Sequence, residues 1–393
     1  MSLDSSHRRG NAVDPSPPDA GDDRLKFNGD NRFQRELRRR VEADFRHRGC
    51  RQRDSAAMWF KTTLILAIFA LAYVALVFLA ATWWQGLLLA VLLGVAMAGI
   101  GFNIMHDGGH QAYSDRRWVN KLMAMTLDLV GGSSYIWQWK HARFHHTWVN
   151  VAGHDSDIDL GVLGRLSPEQ PRRPWHRWQH IYLWLLYGVT AIRWHFYGDF
   201  RDMLTGTIGE RPFKRPRGWD LAGFMLGKLV FFTLAFGLPL LLHSLGAVLL
   251  YYGVTAAVAG ILLALVFQMA HVVEEAAFPL PNASGRQLDT PWAIHQMETT
   301  VDFARGNRAL SWLIGGLNFQ IEHHLFPRIS HVHYPAVARV VEQTCREFGV
   351  PYREHRSFAA GIASHYRWLR RLGMPVGVHA SVTAAATEPL AHG

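Results

Sequence analysis

From Leu87 to His110 the chain reads LLLAVLLGVAMAGIGFNIMHDGGH. Residues 87–105 carry no charge. That is close to the ~20 apolar residues a helix needs to cross ~30 Å of hydrocarbon. His106 and His110 follow at once, four apart, so a helix would place both imidazoles on one face. An apolar span thus ends by presenting a histidine pair at one membrane surface.

Three further runs have the same character, at about 62–81, 221–242 and 246–269. The links around Trp83-Trp84-Gln85-Gly86 and His243-Ser244-Leu245 are very short, so the four spans form two helical hairpins. Two hairpins return the chain to the side it started from. The N-terminal region, segment 106–218 and segment 275–393 then share one side, and they hold nearly all the Lys and Arg. The positive-inside rule puts that side in the cytoplasm. Trp59, Trp83 and Trp84 stand near span ends, as interfacial aromatics do. Two weaker apolar stretches, 118–139 and 178–198, are broken by residues such as Lys121, Asp128, Arg193 and His195. They are expected as helices lying along or dipping into the interface. The expected fold is an all-α membrane protein: four transmembrane helices as two hairpins, interfacial helices, and a cytoplasmic helical cap.

The 393 residues carry a net charge of +10. A basic balance suits nucleic acid, an anionic membrane face or an acidic protein partner. The apolar runs favour the membrane, and no aromatic-rich nucleic-acid motif accompanies the basic stretches. Two cysteines, Cys50 and Cys345, support neither a disulfide framework nor a Cys-x-x-Cys site. Residues 1–30 lack the apolar core of a signal peptide and are expected to be a disordered tail. In 31–57, Phe33, Leu37, Val41 and Phe45 recur every four residues, which predicts an amphipathic helix. Its basic face (Arg35, Arg38, Arg39, Arg40) suits an anionic bilayer, and packing against the protein is the alternative. Residues 58–374 form the membrane domain, and 375–393 a second disordered tail.

The histidines cluster. Beyond His106 and His110 come His141, His145 and His146, then Gln320-Ile-Glu-His323-His324, and a single His271 at the end of the fourth span. At helical spacing His141 can converge with His145 on one ion, while adjacent histidines point to neighbouring ions. One such pair is commonly a surface coincidence; three groups on one side of a membrane are not. A structural zinc needs four ligands and a catalytic one usually three plus water. Eight histidines therefore suit two transition-metal ions, and imidazole alone does not choose among iron, copper, zinc and nickel. His271 could instead be a satisfied core histidine. Gln320 could ligate or only hydrogen-bond.

The three boxes resemble those of integral-membrane fatty acid desaturases. Gly315–Pro327, GGLNFQIEHHLFP, closely resembles the third box of the front-end branch, in which glutamine replaces the first histidine. The resemblance runs from about Gly101 to Arg353. It includes Trp148, Asn150, Asp155 and Asp157 after the second box, and His331, Tyr334 and Pro335 after the third. It implies a non-haem di-iron centre, O2 as co-substrate, and a cis double bond placed in an acyl chain with delta-5, delta-6 or delta-8-like regiochemistry. His106, His110, His141, His145, His146, His323 and His324 are then implied iron ligands, and His271 is similar to the extra histidine ending the fourth span. The substrate is an acyl lipid or acyl-CoA. Many eukaryotic relatives carry a fused cytochrome b5 domain with a His-Pro-Gly-Gly motif, which this sequence lacks. A separate ferredoxin or cytochrome b5-like donor is therefore expected, steered to the basic face.

Metal-bound imidazoles need acceptors on their second nitrogens. Asp107 and Glu322 inside the boxes, and Asp155, Asp157 and Asp159 after the second, are candidates; each could equally be a helix cap or surface charge. Trp137, Trp139, Phe144, Trp148 and Phe319 beside the boxes are candidates for a substrate tunnel, with ordinary packing as the alternative. Membrane hydroxylases, ketolases and sphingolipid desaturases carry similar boxes. A metal transporter would place ionisable groups at mid-depth, where only Lys228 comes near. A soluble di-iron bundle would use Glu and Glu-x-x-His ligands on four long helices, a pattern absent here.

Overall fold

In a bilayer every backbone polar group must be satisfied within the chain, so long apolar runs become helices and local polar chemistry sets their ends. The computed structural model describes residues 25–375. Four helices are long and apolar enough to cross a membrane: Ala56–Leu79 (span 1), Trp83–Gly109 (span 2), Trp219–Leu240 (span 3) and Leu245–His271 (span 4).

Each lies where an apolar run predicts it, with different ends. Span 2 starts at Trp83 rather than 87, because Gln85 accepts hydrogen bonds from the backbone of Ala81 (3.0 Å) and Thr82 (3.1 Å) in a capping box. Trp83 to Gly86 thus belong to the helix, not to the link. The Ser244 hydroxyl caps span 4 by accepting from Ala247 N, so Leu245 is helical too. Span 1 starts at Ala56, not near 62, because its first turns find partners. Tyr113 donates to Thr62 Oγ1 (2.8 Å), and Lys61 Nζ lies 3.0 Å from His331 Nε2. Spans 2 and 4 run past 105 and 269. His106 therefore rides on the last turn of span 2 instead of following it, and His271 is the last residue of span 4.

The amphipathic helix covers Arg32–Arg48 and ends short of 57, where Gly49 closes it at φ 60°. Phe33, Leu37, Val41 and Phe45 are all buried, packed on Val337, Val341 and Cys345 of the helix Tyr334–Phe348. Packing on the protein, not on a bilayer, occupies this stripe, and Arg35, Arg38 and Arg39 stay exposed. The stretch 178–198 forms the helix Gln179–Arg193 and a π-turn Trp194–Gly198, lying along span 4. The stretch 118–139 breaks into short helices, Arg117–Ala124, Thr126–Leu129 and Ser134–Trp137. Lys228 is buried on span 3 and neutralised by Asp199 at 2.8 Å.

The expected tails at 1–30 and 375–393 lie outside the described residues, except for 25–30 and Pro375. Leu25 is buried, and Lys26–Phe27 pair in parallel with Gln287–Leu288. Residues 25–30 are thus ordered where a disordered tail was expected.

Candidate metal centre

The first box sits where span 2 leaves a π-turn, Gly101–Met105, and finishes with His106–Gly109. π-turns inside helices are frequent at functional sites. The glycines of His106-Asp-Gly-Gly-His110 are there for contact: a Cβ on Gly109 would overlap the Trp137 ring, and one on Gly108 would meet the Ala124 backbone. The second box lies on a π-helix, Gln138–His145. Its wider turn brings residues five apart into line, so His141 Nε2 and His146 Nε2 face each other at 3.3 Å. The third box is a short helix, Gln320–Leu325, launched from Gly315 and Gly316, both at positive φ.

All eight candidate histidines come together. His106, His110, His141 and His323 form one group with ligand atoms within 4.8 Å of one another, and His145, His271 and His324 form a second. His146 lies between them, grouped with His323 and His324. The expected convergence of His141 with His145 does not occur. The π-helix sends them to different groups, whereas His323 and His324 share the group with His146 and each also belongs to one of the other two.

The inward nitrogens are free and the outward ones anchored. Nε2 of His110, His145, His271, His323 and His324, and Nδ1 of His146, are buried without a hydrogen-bond partner. On the far sides, His145 Nδ1 donates to Asp155 (2.9 Å), His271 Nδ1 to the Thr299 carbonyl (3.2 Å) and His324 Nδ1 to Gln296 Oε1 (3.0 Å). His323 Nδ1 lies 3.2 Å from the Tyr334 hydroxyl, and His141 Nδ1 lies 3.4 Å from Asp157. Unpartnered buried polar atoms are costly. Six in one nest, each on a buried ring and most of them oriented from behind, are the donor set of a metal site.

Electrostatics agree. Burial pushes His110, His146, His323 and His324 well below the ordinary imidazole range, so they stay neutral, as ligation requires. Burial lowers His141 too, against the pull of Asp157. His145 is the exception: burial opposes its charge, but Asp155 and Asp157 raise it.

Of the candidate acids, Asp155 and Asp157 stand behind histidines. Asp107 stands behind none of the eight ligand candidates: it accepts from Ser330 Oγ (3.0 Å) and His331 N (3.2 Å) and lies 3.1 Å from His331 Nδ1, tying the first box to the segment after the third. Glu322 faces away, accepting from Tyr352 OH at 2.9 Å, and burial and the Asp302 carboxylate raise it well above the usual range. Gln296 and Tyr334 also hold ligand candidates, a role that sequence reasoning missed. Tyr334 lies inside the quoted resemblance; Gln296 belongs to no motif.

A cavity of about 200 Å³ reaches the first group, with His106, His141, His323 and Gln320 in its wall. Of the five candidate tunnel aromatics, Trp137 lines it. Trp139, Phe144 and Trp148 do not: they pack with Leu25, Phe213 and Leu288. Phe319 packs under the Arg32–Arg48 helix. Lys140, Asp157, Asp159 and Arg193 make one part of the cavity wall polar.

The family model for fatty acid desaturases matches residues 81–356. A sn-1 linoleoyl-lipid 6-desaturase of Synechocystis is 37% identical over 352 residues, covering 89% of this chain and 98% of the relative. Its namesake from Arthrospira platensis is 37% identical, covering 87% and 93%. An acyl-lipid (8-3)-desaturase of Physcomitrium patens is 36% identical, covering 91% and 76%. With four spans, a nest of buried imidazoles and these relatives, the chain belongs to the fatty acid desaturase family and, within it, to the front-end branch.

Proposed function

We propose that this membrane enzyme inserts a cis double bond near the carboxyl end of a lipid-bound acyl chain, using O2, two iron ions and electrons from a separate carrier. The observation that carries the reading is the nest of unpartnered imidazole nitrogens beside a cavity that reaches His106, His141 and His323. His106, His110, His141 and His323 would hold one iron, and His145, His271 and His324 the other, with His146 between them. Iron bound there supplies the oxidising power that an unactivated C–H bond demands and that side chains lack. O2 accepts the two hydrogens removed, together with two electrons and two protons, and leaves as two waters.

The remaining chemistry is positioning. Asp155, Asp157 and Gln296 fix the imidazole rings from behind. Gln320, beside His323, can hydrogen-bond at the reacting end of the cavity. Trp137, Phe267 and Leu263 give the methylene chain an apolar wall that keeps water out, while Lys140 and Arg193 mark the polar part for the head group. The names of the relatives favour an acyl lipid over a soluble thioester. Exposed Arg35, Arg38 and Arg39 suit an acidic donor such as a ferredoxin or a cytochrome b5-like protein. The excess of Lys and Arg outside the spans favours a cytoplasmic site and termini.

The test is the fatty acid profile of a host expressing the chain and fed long-chain acids, beside a His323→Ala, His324→Ala control. A new unsaturated acid in the first and not the second is expected, its bond position giving the regiochemistry. A hydroxylated product instead would overturn desaturation in favour of oxygen insertion.

A further inference from the structure

The cavity that reaches His106, His141 and His323 has in its wall an amide that nothing in the protein uses. Gln268 lies on span 4 and is 5% exposed. Among the described residues its side chain makes no hydrogen bond, and its Oε1 is buried without a partner. We propose that Gln268 holds the carbonyl group that ends the acyl chain, and so fixes which carbons meet the metal nest. The proposal rests on the desaturase reading above and adds to it a substrate-binding residue outside the histidine boxes.

Burial is the first argument. Ala264, Gln268 and Val272 are four apart, so they share one face of the helix. Ala264 and Val272 are buried with Ile158, Leu183 and Tyr187 in one apolar cluster. An apolar side chain would suit this stripe. A glutamine there takes an amide out of water and leaves it unbonded, which is destabilising. A ligand group that bonds the amide removes that penalty.

The chemistry of the wall is the second. Its carboxylates are engaged: Asp157 pairs with Lys140 at 3.2 Å, and Asp159 accepts from Gly161 N at 2.7 Å. The free groups beside them are neutral. Ser156 Oγ, like Gln268 Oε1, is buried without a partner, and both residues line the cavity. An amide N–H and a hydroxyl donate well to an uncharged acceptor. In an acyl lipid the carbonyl is such an acceptor, with the polar head on one side and methylenes on the other. The cavity wall has the same two parts, Lys140 and Arg193 in one and Trp137, Leu263 and Phe267 in the other.

Position is the third. His271 follows Gln268 by three residues, about 4.5 Å further along the helix, and its Nε2 is one of the unpartnered nitrogens of the nest. A carbonyl held less than one turn from a metal-binding histidine presents the carbons nearest to it. That is what reaction near the carboxyl end requires.

Gln268→Met keeps a long, flexible side chain and removes its amide. Purified full-length protein bearing its metal, kept from O2 so that nothing turns over, is titrated with a diacyl phosphatidylcholine and with the dialkyl ether counterpart, which lacks both carbonyls. The parent should bind the ester lipid about tenfold more tightly, in the range of one hydrogen bond. Gln268→Met should bind the two alike at unchanged metal content and, in a host, should place double bonds at more than one position where the parent makes one. Equal binding of both lipids by the parent overturns the proposal. So does a variant that keeps either the tenfold preference or the single bond position. Metal lost from the variant with the lipid preference intact assigns the amide to the metal centre instead. Should Gln268→Met fail to fold, Gln268→Asn, which draws the amide back by one methylene, is read by the same ratio. An acyl-CoA bound as tightly as the ester lipid, with the same dependence on Gln268, keeps the anchor and overturns the acyl-lipid reading. A parent that makes no unsaturated acid overturns the desaturase reading, and the binding ratio, measured without turnover, decides the anchor separately.

Discussion

At the scale of single residues, the site depends on what stands behind each imidazole. Asp155 does the most: one carboxylate accepts from His145 Nδ1 and from the backbone of Asn150 and Asp157. It fixes both the ring and the loop that follows the second box. Asp155→Asn keeps the shape but removes the charge. Loss of such a partner typically lowers metal affinity about 10–100-fold, and a fall in that range is expected when the variant competes with a chelator. Affinity equal to the parent's would show that the Asp155 contact does not orient a ligand.

At the scale of elements, turns carry the boxes to one another. Gly315 has φ +64°, and a Cβ there would overlap the Phe102 carbonyl oxygen on span 2. This turn sets the Gln320–Leu325 helix against the first box. Gly315→Ala should destabilise by about 1–3 kcal/mol from left-handed backbone strain alone. It should also lower metal occupancy, both read by thermal unfolding and metal analysis of purified protein. A variant matching the parent in both would refute the close approach. Box spacing and apolar runs made the spans and all eight histidines legible in the sequence, because hydrophobicity and residue type are local properties. The pairing of histidines was not, since the π-winding of Gln138–His145 leaves no mark in residue identity. Residue identity also does not say which aromatic beside the boxes lines the cavity. Trp139 and Phe144 adjoin ligands in sequence but pack in a cluster with Phe213. Gln296 was invisible because its role depends on where a distant helix lands.

At the scale of the molecule, spans 2 and 4 end at one histidine nest, so those ends share a face. The links after Leu79 and Leu240 then lie on the other face. Single cysteines placed at Thr82 and Ser244, in a chain with Cys50 and Cys345 replaced by serine, should react with an impermeant thiol reagent from one side of sealed membranes. One at Arg46 should react only from the other. Labelling of all three from the same side would rule out two full hairpins.

The nest draws its rings from four stretches of chain: two span ends, the π-helix and the last box. Without metal, six buried nitrogens have no partner, each a cost on the order of 1–3 kcal/mol. Occupancy removes that cost and stitches the four stretches together. Proteins that lose a few kcal/mol are cleared by proteases in cells. An organism starved of the metal should thus find its membranes depleted of the enzyme itself, so that supply of an inorganic nutrient governs abundance and, through it, membrane fluidity.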